Sequence, residues 1–139
     1  MIVLDTNVVS EGFRPRPDPR AAAVVARWPI AELYLTAVSV GEIRSGIARM
    51  PDGQRKLTLF EATERIIRQR FDGRILSFSV NSSAHYADLV ADRFGAGRPI
   101  SVADGQIAAI CRQHGATLLT RNVRDFEGTG IEIIDPWAG

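Results

Sequence analysis

Five short apolar runs, separated by stretches that read as helix or turn, constrain this chain most. They are Ile2–Leu4, Leu33–Thr36, Ile75–Phe78, Thr117–Thr120 and Ile131–Ile134. Strands spaced by helices imply a mainly parallel sheet between helical layers. The expected fold class is therefore α/β, a three-layer α/β/α sandwich with a mainly parallel central sheet. A chain of 139 residues fits a single domain over residues 1–139.

The intervening segments carry helix punctuation. Gly12 to Pro19 reads as a Pro/Arg-rich loop, because Pro15, Pro17 and Pro19 are hostile to a helix interior. Arg20 to Trp28 reads as helix and Pro29 stops it. Ser39 is the expected cap of a helix reaching about Met50, with Glu42 at the spacing of a capping box. Gln54 to Phe71 reads as a long amphipathic helix, with Leu57, Phe60, Ile66 and Ile67 on its buried side. Ser82 to Phe94 is helical up to Gly95 and Gly97. Ser101 starts a helix to about His114, and Gly115 ends it in the favoured position.

Several classes are disfavoured by composition. No apolar run approaches the ~20 residues of a membrane span. Asp5 and Glu11 interrupt the N-terminus, so no signal peptide is expected. The single cysteine, Cys111, excludes an internal disulfide and is expected to pack as a small apolar residue on a helix. A reducing, cytoplasmic setting follows. The net charge of +1 does not announce a nucleic-acid binder. Lys56 is the one lysine among 17 basic residues. Arginine grips phosphate with two prongs, although a GC-rich coding sequence explains the bias as well.

The chemistry lies in acids at element ends. Asp5 follows the first apolar run, Glu42 the second, and Asp125 the fourth. Asp104 falls in the first turn of the helix begun by Ser101. In an open α/β sheet the strands end at one edge, where ligands bind. Carboxylates gathered there repel one another unless a hard cation lies between them. Each has a plainer reading. Asp5 fits a turn residue or helix cap equally well, with Thr6 and Asn7 as hydrogen-bonders fixing its carboxylate. Glu42 fits the capping box, although Val38, Val40 and Ile43 draw its turn into the core. Asp104 fits a first-turn acid welcomed by the helix dipole, on a small-residue helix able to press close to the sheet. Asp125 fits a loop cap, with Asn122 three residues before it and Arg121 and Arg124 alongside. An oxygen-only donor set suits Mg²⁺ or Mn²⁺. Zinc does not fit, since Cys111 is alone and His85 and His114 lie in separate helices. No P-loop and no Gly-x-Ser-x-Gly motif is present.

Four stretches, in this order, resemble the PIN-domain ribonucleases. They are Met1 to Asn7, Ser39 to Ile47, Gly97 to Ala109 and Thr120 to Phe126. The likeness is greatest to the VapC-type toxins of bacterial toxin–antitoxin pairs, in the FitB-like branch, and it runs from Asp5 to Trp137. It implies a parallel α/β/α sandwich, a Mg²⁺- or Mn²⁺-dependent endoribonuclease toxin, a homodimer, and an antitoxin that inhibits by inserting a segment near the active site. It maps the family's acids onto Asp5, Glu42 and Asp104, with Asp125 as the fourth. Many relatives carry Asp where this chain has Asn122.

On that basis Asp5 and Asp104 are expected to bind the cation directly, with Glu42 and the Asn122/Asp125 region as direct or water-mediated ligands. Asn7 and Thr120 are expected to orient a ligand or phosphate. Arg14, Arg16, Arg98, Arg121 and Arg124 are candidate RNA-backbone contacts. Hydrolysis by an activated water is expected to leave a 5′-phosphate and a 3′-hydroxyl. A different class of function is a binding module, the partner of a DNA-binding antitoxin with weak or absent catalysis. Weaker still is a metal-dependent phosphatase or DNase on the same site.

Overall fold

The computed structural model describes residues 1–138. All five strands are parallel, in the order β3-β2-β1-β4-β5. They are β1 (Ile2–Leu4), β2 (Leu33–Thr36), β3 (Ile75–Leu76), β4 (Thr117–Leu119) and β5 (Glu132–Ile134). The central strand β1 pairs Ile2 with Leu33 on one side and with Thr117 on the other. Successive side chains point to opposite faces. Ile2 and Leu4 therefore join Leu33, Leu35 and Leu119 in one core, while Val3 joins Leu118 in another.

The helices follow that division. Helices α1 (Thr6–Glu11) and α2 (Pro19–Val25) pack on the first core through Val8, Ala21 and Val24. Helix α3 (Ala37–Ala48) touches α1, α4 and α6, and α4 (Gln54–Arg65) lies outside it. Helices α5 (Val80–Gly95), α6 (Val102–His114) and α7 (Val123–Phe126) cover the second core through Leu89, Ile107, Ala108 and Phe126. The result is the α/β/α sandwich expected, with a sheet that is wholly rather than mainly parallel. Cys111 lies in the second core as a small apolar residue.

The strand order reverses at β1, because the chain builds outward through β2 and β3 before returning to β4 and β5. A crevice opens at the carboxyl ends of strands on either side of such a switch. Asp5 and Thr120 directly follow the two strands that flank it.

Several element boundaries depart from expectation. The cap of α3 is Thr36, whose hydroxyl accepts from Ser39 N–H at 3.0 Å, so Ser39 lies inside the helix and Glu42 belongs to no capping box. Helix α2 begins at Pro19, with Asp18 as cap, and stops at Val25. Proline is tolerated at the first helical position, where its missing N–H is not needed. Helix α5 begins at Val80, with Ser79 and Ser82 in a reciprocal capping box.

In α4, Leu57 and Phe60 point outward, each 49% exposed. The inward face is instead Leu59, Ala62, Thr63, Ile66 and Ile67, a spacing of i, i+3, i+4, i+7 and i+8. That stripe continues into a π-turn, Ile66–Arg70, closed by Phe71 N–H donating to Ile66 C=O at 3.1 Å. Helix α6 matches expectation: Ser101 caps it, and Gly115 ends it in the left-handed conformation at φ 62°.

Candidate active site

Asp5 does two things at the end of β1. It is the N-cap of α1, its Oδ1 accepting from Thr6 N–H at 2.8 Å. Its Oδ2 accepts from the Thr120 hydroxyl at 2.8 Å and from Asn7 Nδ2 at 3.3 Å. The cap reading of Asp5 is thus borne out, and its second oxygen lies among side-chain donors. Asp5 is only 4% exposed. Burial pushes its carboxyl above the usual 3.8, the bonds from Thr120, Thr6 and Asn7 oppose that, and the Glu42 charge adds to it.

Asn7 and Thr120 staple the two strand ends together. Asn7 Oδ1 accepts from Arg121 N–H at 3.1 Å, and its Nδ2 reaches Thr120 Oγ1 at 3.4 Å. Thr120 Oγ1 also accepts from Asn122 N–H at 3.0 Å. The fully buried Thr120 hydroxyl, having donated to Asp5, shapes the turn after β4 as well. Thr6 supplies a contact that the sequence did not announce: its hydroxyl donates to Glu42 Oε1 at 2.9 Å. Glu42 is otherwise exposed on α3.

Asp104 is half-buried in the first turn of α6, where its N–H donates to Ser101 Oγ at 3.2 Å. Burial raises its pKa above the usual 3.8. The Asp5 and Asp125 charges raise it further, while the Ser101 bond and the Arg93 charge pull it down. Asp125 is exposed on α7, and its N–H donates to Asn122 C=O at 3.0 Å. The four acids therefore form a chain of mutual influence along one sheet edge: Glu42 acts on Asp5, Asp5 on Asp104, and Asp125 on Asp104.

Desolvated carboxylates that raise one another favour a proton or a cation between them. Their donors are all oxygen, which fits Mg²⁺ or Mn²⁺. Among the described residues no three His, Cys, Asp or Glu side chains are already drawn up as a cage for an ion. Glu42 and Asp125, both exposed, are the two with freedom to move inward. Asn122 is exposed at the N-cap of α7 and makes no capping bond with its side chain.

The arginines divide. Arg121 stacks on the Trp137 ring at 4.9 Å, and Arg124 is exposed on α7. Arg98 donates to Arg124 C=O and Glu127 Oε2, each at 3.2 Å. Arg14 pairs with the buried Glu11 at 3.4 Å, while Arg16 is exposed on the same loop. Arg14, Phe13 and Pro15 wall a groove of about 970 Å³ between α1, α3 and α4, with Thr6 and Glu42 also in its lining. His85 and His114 join no group able to hold a metal. The Cys111 thiol is pushed up to about 12 by burial and by the Asp5 charge, so it is protonated and inert at neutral pH.

The site is thus a set of acids beside the switch point of a parallel sheet. The PIN domain family model matches residues 2–131, and the chain belongs to that family. Within it the chain falls among the VapC and FitB proteins. It is 42% identical to VapC ribonuclease Y4jK of Sinorhizobium fredii, covering 99% of this chain and 98% of that protein. It is 39% identical to toxin FitB of Neisseria gonorrhoeae, covering 99% of each. The solved structure of FitAcB from Neisseria gonorrhoeae superposes with a TM-score of 0.92 at 39% identity, again over 99% of each chain.

Proposed function

We propose that this chain, acting as a single domain over residues 1–139, is a divalent-metal-dependent endoribonuclease and the toxin of a toxin–antitoxin pair. The observation that carries the reading is the pair Asp5 and Asp104, two desolvated carboxylates gathered beside the switch point, with the Asp5 charge acting on Asp104. Relatives named as ribonucleases and as a toxin, alike over the whole chain, support it.

In this reading Asp5 and Asp104 would hold Mg²⁺ or Mn²⁺ directly and Glu42 through a water, with Asp125 as the fourth acid. The ion, when bound, activates water and neutralises charge on the scissile phosphate. Thr120 and Asn7 keep the Asp5 carboxylate aimed at the crevice through the bonds described. Glu42, free except for the Thr6 hydroxyl, accepts the proton of the attacking water. Asn122 contributes a neutral oxygen beside Asp125. Arg121 and Arg124, on the turn after β4, meet the RNA backbone as bidentate phosphate donors, and Arg14, Arg16 and Arg98 extend that contact.

The structures of FitAcB and of FitAB bound to a DNA fragment support a partner protein for this chain too. An antitoxin segment laid in the groove beside Glu42 is positioned to block the acids. A homodimer and a cytoplasmic location complete the proposal.

The test is an RNA cleavage assay with Mg²⁺ or Mn²⁺ titrated into metal-free protein. Asp5→Asn and Asp104→Asn are each expected to lose ~100-fold or more, since each removes a charged ligand. Products carrying 5′-phosphate are expected, and a 2′,3′-cyclic phosphate sinks the mechanism. The second reading, an antitoxin-binding module with weak or no nuclease activity, is favoured by Asn122 and by the absence of a drawn-up cage among the described residues. Cleavage that needs metal and both acids removes it.

A further inference from the structure

The buried cation Arg93 is not among the acids and hydrogen-bonding side chains that build the site. It lies in the last turn of α5 and is 6% exposed. A guanidinium taken out of water ordinarily demands a carboxylate partner. Among the described residues no acid lies within ion-pair distance of it. Its donors go to main-chain carbonyls of two separate segments instead. Nε donates to Arg98 C=O at 2.6 Å, and Nη1 donates to Asp125 C=O at 2.9 Å and to Glu127 C=O at 2.8 Å.

Those segments carry two of the four acids. Arg98 begins the run Pro99-Ile100-Ser101 that leads into the cap of α6, three residues before Asp104. Asp125 and Glu127 are the end of α7 and the residue after it. The loop also folds back on the arginine, because Arg98 N–H donates to Arg93 C=O at 2.8 Å.

We propose that Arg93 is the positioning residue of the acidic site: its one guanidinium clamps the Asp104-bearing and Asp125-bearing segments to the end of α5. Only a planar fork with several donors can serve three carbonyls at once. The three carbonyls give the cation its acceptors in place of a carboxylate. Its charge favours the ionised form of Asp104, against the effects of Asp5 and Asp125. The clamp fixes the main chain beneath the two acids while no ion is bound, and leaves the exposed Asp125 side chain free to turn. The consequence for metal binding rests on the reading of the site as a metal centre, whereas the clamp itself does not.

The experiment compares Arg93→Met, Arg93→Lys and a control, Leu89→Ala, at a fully buried position one turn earlier on the same helix. Amide hydrogen exchange is measured on the metal-free proteins at temperatures giving equal global stability. Arg93→Met is expected to speed exchange about tenfold or more in residues 98–104 and 122–128 together, each having lost a buried donor, with β1 and β2 unchanged. The control is expected to leave both segments protected. Arg93→Lys keeps the charge but cannot reach both segments, so one of them opens.

A Mn²⁺ titration then reads the consequence. Arg93→Met is expected to bind about tenfold more weakly than wild type, and the control within about twofold. Exchange in Arg93→Met indistinguishable from the control overturns the proposal. If Arg93→Met does not fold, Arg93→Lys decides: protection kept in both segments refutes the clamp. A wild-type chain that fails to bind Mn²⁺ removes the metal-centre reading, and exchange still decides the clamp.

Discussion

At Asp104 a single carboxylate stores destabilisation that the proposed function needs. Burial and the charges of Asp5 and Asp125 raise its pKa, so its folded form holds a proton more tightly than the unfolded chain does. Stability from such a group is complete below the usual 3.8 and is lost as pH rises through the raised value. Asp104→Asn is therefore expected to raise the Tm of the metal-free protein at pH 7 while lowering cleavage ~100-fold or more. The gain over wild type shrinks toward zero at acid pH, and thermal melts across pH check it. Asp5 has the same sign of shift, but its three hydrogen bonds make amide replacement less simple, because one acceptor becomes a donor facing donors. Asn122→Asp adds a fifth charge to the same edge. It is expected to lower metal-free Tm at pH 7 and to tighten Mn²⁺ binding, read by melting and by calorimetric titration.

The elements hold these side chains through their ends. Thr36 closes β2 and caps α3, the helix that carries Glu42. Thr36→Val keeps the shape and leaves the Ser39 N–H buried without an acceptor, at an expected cost of about 1–2 kcal/mol in urea unfolding. Helices α5 and α6 meet closely at Gly105, beside Asp104. A Cβ there would lie 2.9 Å from Tyr86 Cε2, on a ring packed edge-on against Phe78 at 5.7 Å. Gly105→Val is expected to cost about 2 kcal/mol as the ring is forced aside, and to weaken Mn²⁺ binding with it. Equilibrium unfolding and metal titration of the same variant check both.

For the whole molecule the proposed ion should act as a cross-link between separate parts of the chain. Asp5, Glu42 and Asp104 come from three elements far apart in sequence, and none can hold an ion without the sheet that gathers them. Mn²⁺ at 100 times its Kd is then expected to stabilise the wild type by about 2.7 kcal/mol, and a chelator to reverse the effect. The same addition should leave Asp104→Asn nearly unmoved. A melting shift of equal size in that variant would place the ion elsewhere.

Much was legible in the sequence because it is local. The five strands, the Ser101 cap, the Gly115 stop and the buried Cys111 follow from patterns within a few residues. So does the set of acids at element ends, and the order of four motifs tied them to one family. What the sequence left open is what depends on neighbours distant in the chain. Ser39 and Thr36 are both good caps, and only the point where β2 leaves the sheet selects Thr36. Leu57 and Phe60 are apolar at helical spacing, but α3 presents only one face for α4 to cover, and that face falls on Thr63 and Ile67. Glu42 stands at capping-box spacing as well as at an element end, and the tertiary fold turns it to the Thr6 hydroxyl. Nothing in the sequence singles out Arg93 among the cations near helix ends, where positive charge is welcome. Burial against three carbonyls is a property of where α5, α6 and α7 meet. The sequence by itself determined which residues carry charge at the ends of which elements. The tertiary structure alone decided which of those charges face one another out of water, because desolvation and Coulomb energy depend on distance through space and not along the chain.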